Sequence, residues 1–168
     1  IDALGAGFTL GSVDVMGEQG ARTAFEEWTN RTRAAEVAAG WGGDVFAVAT
    51  RAAGDGQEVA LAWHQRADTP KDAKEIADLL GERFGKACRE RPDLGPITWI
   101  HRGRDVVVTA GPFGRRKDRS VASAGSCDVA TKWARSILDA KSPAPAPAAA
   151  PKAAASPMKP GDPFVRPD

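Results

Sequence analysis

Two histidines, two cysteines, a glycine-rich turn ending in an aspartate and a late run of arginines are the residues here whose chemistry could go beyond packing. His64 and His101 fall in strand-like segments. If both faced one side of a sheet they could hold a metal or exchange a proton. A catalytic zinc needs three protein ligands, and no Asp or Glu stands at a spacing that completes such a set. Cys88 and Cys127 leave two readings open. One is a disulfide, which suits an exported protein; the other is a pair of buried thiols, each on the inner face of a helix. Cys88 has no histidine near it in sequence, so a half-cystine or structural thiol outweighs a nucleophile. Ser123, Ser126 and Ser136 lack the Gly-x-Ser-x-Gly setting of a nucleophile elbow. No catalytic, cofactor-binding or metal-binding residue is therefore expected.

The turn Gly40-Trp41-Gly42-Gly43-Asp44 superficially resembles a phosphate loop. Such loops open onto a helix N-terminus, whereas this one precedes a strand-like run. The simpler expectation is a structural turn in which glycines end a helix by taking the left-handed conformation. Asp44 would then bond local backbone. Arg102, Arg104, Arg115, Arg116, Lys117 and Arg119, with Trp99 nearby, form a basic edge that could meet an anionic partner. The acids Asp105 and Asp118 are interleaved with it, as on an ordinary solvated face.

The elements that must position these residues read as follows. Val13 to Ala39 has helical spacing through Val13, Met16, Gly20, Ala24 and Trp28, interrupted near Thr29-Asn30. Gly17 and Gly20 inside that stretch are expected to allow close backbone packing. Val45 to Arg51 and Glu58 to Arg66 form a hairpin around Gly54-Asp55-Gly56. Asp68 or Thr69 caps a helix with Pro70 in its first turn and an inner stripe of Ala73, Ile76, Ala77, Leu80 and Phe84. A second hairpin, Ile97 to His101 and Asp105 to Ala110, ends at Gly111-Pro112. Ser126 caps a last helix with Val129, Ala130, Trp133, Ala134 and Ile137 inward. Trp63 and Trp133 are expected in the core. The order α-α-ββα-ββα predicts an α+β fold: an antiparallel sheet of about four strands, two hairpins, with helices packed on one face.

The 168 residues are enough for one domain with a core, and the formal charge of +1 gives no drive toward nucleic acid. Residues 1–44 carry three Arg against seven acids, and residues 97–141 nine Lys/Arg against four Asp. No run of apolar residues is long enough to span a membrane. Residues 1–12 read as an incoming segment and 13–141 as the domain. Residues 142–168 hold eight of the twelve prolines and read as a disordered Pro/Ala-rich tail.

The run from Met16-Gly17-Glu18-Gln19-Gly20 through Gly40-Trp41-Gly42-Gly43-Asp44, Ala60-Leu61-Ala62-Trp63 and Asp68-Thr69-Pro70-Lys71-Asp72-Ala73 resembles a recurring region of other proteins. It is similar to the C-terminal part of exported bacterial and archaeal zinc-peptidase-like proteins that carry a His-Glu-x-x-His helix upstream. The resemblance covers about residues 13 to 90. Ala67 departs from it, standing where an aromatic is expected. It implies that any metal-binding helix lies upstream of Ile1, and it transfers no catalytic residue to this chain. The expectation is a non-catalytic accessory or interaction domain of an exported peptidase-like protein, located in the periplasm, on the surface or outside the cell. Its partner would be the upstream domain of the same polypeptide or another protein. The alternative is a stand-alone binding module using the basic edge.

Overall fold

A computed structural model describes residues 1–54, 56–88, 90, 95–115 and 120–140. The Pro/Ala-rich segment 142–168 lies outside the described residues. Among those described, six strands form one antiparallel sheet: β1 (Thr9–Asp14), β2 (Trp41–Ala53), β3 (Gly56–Ala67), β4 (Ile97–Arg102), β5 (Asp105–Arg115) and β6 (Val121–Ser123). The order is β1-β2-β3-β5-β4, with β6 also paired to β5. Four helices accompany it: α1 (Gly17–Glu26), α2 (Arg31–Ala38), α3 (Pro70–Phe84) and α4 (Cys127–Asp139). The α+β class and both hairpins match the sequence reading, while the strand number and order differ from it.

The two hairpins join through β3 and β5, where Trp63 pairs with Val108 and Ala62 with Thr109. This register sorts the side chains between two faces. On one face Trp63, Val106 and Val108 meet Phe25 of α1, Val37 of α2 and Ile76, Leu79 and Leu80 of α3. On the other, Ala49, Ala60 and Ala62 form a shallow floor. Leu4, Phe8 and Trp133 of α4 fill it. The small alanines make room for an indole and a phenyl ring, and Thr109 donates its hydroxyl to the Ala130 carbonyl at 2.9 Å. Helices therefore cover both faces rather than one. The stripe on α4 is an ordinary amphipathic face, and nothing local says which side of a sheet it meets.

Val13, expected to open a helix, lies in β1 beside Ala47. All six residues of β1 are exposed, so burial imposes no two-residue period for a sequence reading to detect. Gly17 turns the chain into α1 with φ +72°, which is its use in place of the expected close packing. Residues 1–12 contribute a short 3-10 turn at Asp2–Leu4, most of β1, and two core side chains, Leu4 and Phe8. At the far end β5 runs on past the cis Gly111-Pro112 bond to Arg115. The register shift opposite Val59–Leu61 absorbs the proline, because a bulged position does not require its missing N–H.

α3 begins as expected. The Thr69 hydroxyl accepts from the Asp72 amide, the Asp72 carboxylate accepts from the Thr69 amide, and Pro70 occupies the first turn. Ser126 caps α4 through the Val129 amide.

Candidate functional site

The glycine-rich turn is where the fold concentrates its polar bonds. Asp44 is 9% exposed, and four N–H groups converge on its carboxylate. Oδ1 accepts from the Gly17 amide at 2.9 Å and from the Trp41 indole at 3.0 Å. Oδ2 accepts from the Met16 amide at 3.0 Å and from the Trp63 indole at 2.8 Å. The two amides belong to the entry of α1, where a negative charge is also favoured by the helix dipole. Charge-assisted bonds of this kind are roughly twice as strong as neutral ones. Asp44 thus ties α1, β2 and β3 together. Its bonding is mostly long-range, where the sequence suggested local backbone.

The glycines act differently from expectation. Gly43 alone of this turn takes a positive φ, +147°. Gly40 is required by proximity: a Cβ there would come 2.4 Å from Cβ of Asp72 on α3. At Gly42 a Cβ would lie 2.9 Å from the Arg66 carbonyl oxygen. The β-bulge between Trp41 and Asp44 lets the turn aim both Trp41 and Asp44 at one point.

The histidines are not brought together. His64 pairs with Val107 and His101 with Val106, so they face opposite sides of the sheet. His64 Nε2 lies 3.0 Å from Asp105 Oδ1, and His101 donates Nε2–H to the Gly103 carbonyl at 3.0 Å. Among the described residues no group of three His, Cys, Asp or Glu is arranged to hold a metal ion.

The basic edge is divided. Arg102 pairs with Asp139 at 2.8 Å and Arg104 donates Nε–H to the Ala67 carbonyl at 2.7 Å. Arg115 stands at the opposite end of β5 from Arg104, roughly 30 Å away along a strand of this length. Arg116, Lys117 and Arg119 lie outside the described residues.

Cys88, just beyond α3, and Cys127, the first residue of α4, are joined by a disulfide with Cα atoms 5.9 Å apart. The bond links a helix on one face to a helix on the other around the β4 side of the sheet.

Two concavities bear on function. An open groove of about 810 Å³ between α2 and α3 is lined by Glu36, Asp68, Asp72, Glu75 and Asp78 together with Arg33 and Lys71. Within it Lys71 pairs with Glu75 at 3.1 Å. The hydrogen bond to Glu75, helped by its charge, raises the Lys71 ammonium above its ordinary value. The second is a pocket of about 150 Å³ walled by Trp28, Phe46, Leu61, Phe84, Ile97 and Ala110. Phe84 meets Trp28 edge-on with centroids 5.2 Å apart. Sequence reading missed this pocket, since its walls come from α3, the turn after α1 and four strands. The signal available was the aromatic residue near the C-terminal end of α1 and of α3, Trp28 and Phe84.

A family model described as "Domain of unknown function (DUF8575)" matches residues 8–125. That is most of the chain, and the chain belongs to this family. No curated protein and no solved structure matches it.

Proposed function

We propose that this member of the DUF8575 family is a non-catalytic accessory or interaction domain of an exported protein. The observation that carries the reading is Asp44. The buried carboxylate in the most chemically suggestive turn has both oxygens engaged by structural donors, so it serves to hold three elements in place. A carboxylate acting as base or nucleophile needs a lone pair free for substrate. The Cys88–Cys127 disulfide supports an oxidising location such as the periplasm, the cell surface or the exterior. The apolar walls of the 150 Å³ pocket support holding an apolar group over transforming one. The similarity of the Met16–Gly20, Gly40–Asp44 and Asp68–Ala73 motifs to exported zinc-peptidase-like proteins supports a parent of that kind, with this domain packed against its upstream part. The separation of Arg102 and Arg104 from Arg115 along β5 gives the anionic-partner alternative less support.

The test is equilibrium dialysis with zinc followed by a casein and peptide hydrolysis screen of the purified chain. The expected result is no stoichiometric zinc and no turnover. Turnover that disappears in His64→Ala or His101→Ala would overturn the reading. A His-Glu-x-x-His helix encoded upstream of Ile1 would support the peptidase-like parent.

A further inference from the structure

The two sides of the sheet end differently. At β4, α3 and α4 pack against the edge strand, and the disulfide and the Arg102–Asp139 pair close over it. At β1 nothing among the described residues does so. Every residue of Thr9–Asp14 is exposed, and β1 is hydrogen-bonded to β2 alone. Open edges are usually blunted by lysine, proline, inward charges, bulges or short strands. β1 has neither lysine nor proline; its only such features are its six-residue length, the irregularity at Gly11 and the terminal Asp14. Because of that irregularity Leu10 and Val13 pair with Ala49 and Ala47 and so point to the same face. They are 51% and 54% exposed, and Val45 beside them is 45% exposed.

We propose that β1 pairs antiparallel with β1 of a second copy of this chain across a two-fold axis, joining two sheets into one. This goes beyond the accessory-domain reading and does not depend on it. The pattern of β1 selects a second copy over another strand because it is self-complementary. An axis between Gly11 and Ser12 sets Leu10 against Val13 of the second copy, and Val13 against its Leu10, all on one face. Thr9 then opposes Asp14 of the second copy, so the two acids never meet. Such reciprocal contacts are the signature of an isologous interface, and cross-strand apolar pairs are the unit of its stability. Six residues of edge give an interface at the low end of the size range, so association depends on concentration.

Sedimentation equilibrium of the full chain across a micromolar to near-millimolar series tests this. Wild-type chain should dimerise, and Leu10→Lys and Val13→Lys should each weaken the dimer by about tenfold or more. Both positions are exposed, so unchanged far-UV circular dichroism and melting temperature will show that the variants fold. Leu10→Cys chain mixed with Val13→Cys chain should form a disulfide heterodimer under mild oxidation, which reads the antiparallel register directly. A chain that stays monomeric throughout overturns the proposal and leaves this edge to a strand of another protein. Dimerisation insensitive to both lysines, or a lysine-sensitive dimer that yields no heterodimer crosslink, also overturns it.

Discussion

Four donors converge on the Asp44 carboxylate, and removing it leaves two indoles and two amides without their acceptor. Asp44→Ala should therefore destabilise the fold by about 3–5 kcal/mol, read as a shift of the urea midpoint at unchanged slope. An effect under about 1 kcal/mol would show that the clasp is dispensable. Gln65 presents the opposite case. It is 1% exposed, and neither atom of its side-chain amide has a partner in the described structure. Gln65→Leu keeps most of the volume and removes two unpartnered polar atoms, so it should stabilise by about 1 kcal/mol; a loss in the same denaturation experiment would mean that the amide is satisfied in solution. Sequence picked out Asp44 and could not assign its bonds. Three of its four donors lie 19, 27 and 28 residues away, and a single chain carries no pairing information at that range. Gln65 sits near the end of β3 between His64 and Arg66, and its immediate neighbours do not distinguish it from an outward glutamine.

Elements with a local cause were the legible ones. α3 has its cap, its proline and its stripe within a window of about one helix; the structure places the cap, the proline, Ala73, Ile76 and Leu80 as read and adds Leu79 to the buried stripe, with Ala77 and Phe84 half-buried. α4 has Ser126 as cap and Trp133 in the core, at 3% exposure. The face it covers depends on how the two hairpins pair, which no local rule encodes. β1 was illegible because it is buried on neither side. β6 is three residues long, too short to show a period. The link between α3 and α4 was open on spacing alone and is a disulfide in the structure. Closing a loop of 39 residues restricts the unfolded chain enough to be worth about 4 kcal/mol on the chain-entropy relation. Reduction, or the paired change Cys88→Ser with Cys127→Ser, should lower stability by that order, measured by denaturant titration with and without reductant. No change on reduction would show that the bond is not formed in solution.

At the scale of the whole molecule, both cores are assembled from residues 3–137. Deleting residues 142–168 should leave the melting temperature unchanged within error, whereas a fall of several degrees would mean that this segment contributes to the fold. The α+β class followed from counting hairpins and amphipathic stretches. The three-layer arrangement, with a sheet between helices, followed only from the β3–β5 pairing that the structure supplies. The disulfide also sets how the molecule responds to force. β4, β5 and β6 all lie inside the covalent ring from Cys88 to Cys127, so a load applied between the two chain ends bypasses them through sulfur. An oxidised chain under tension should release only the length outside the ring. Reduction should add about 130 Å of contour from the 39-residue separation, at roughly 3.5 Å per residue, a step that single-molecule pulling resolves directly.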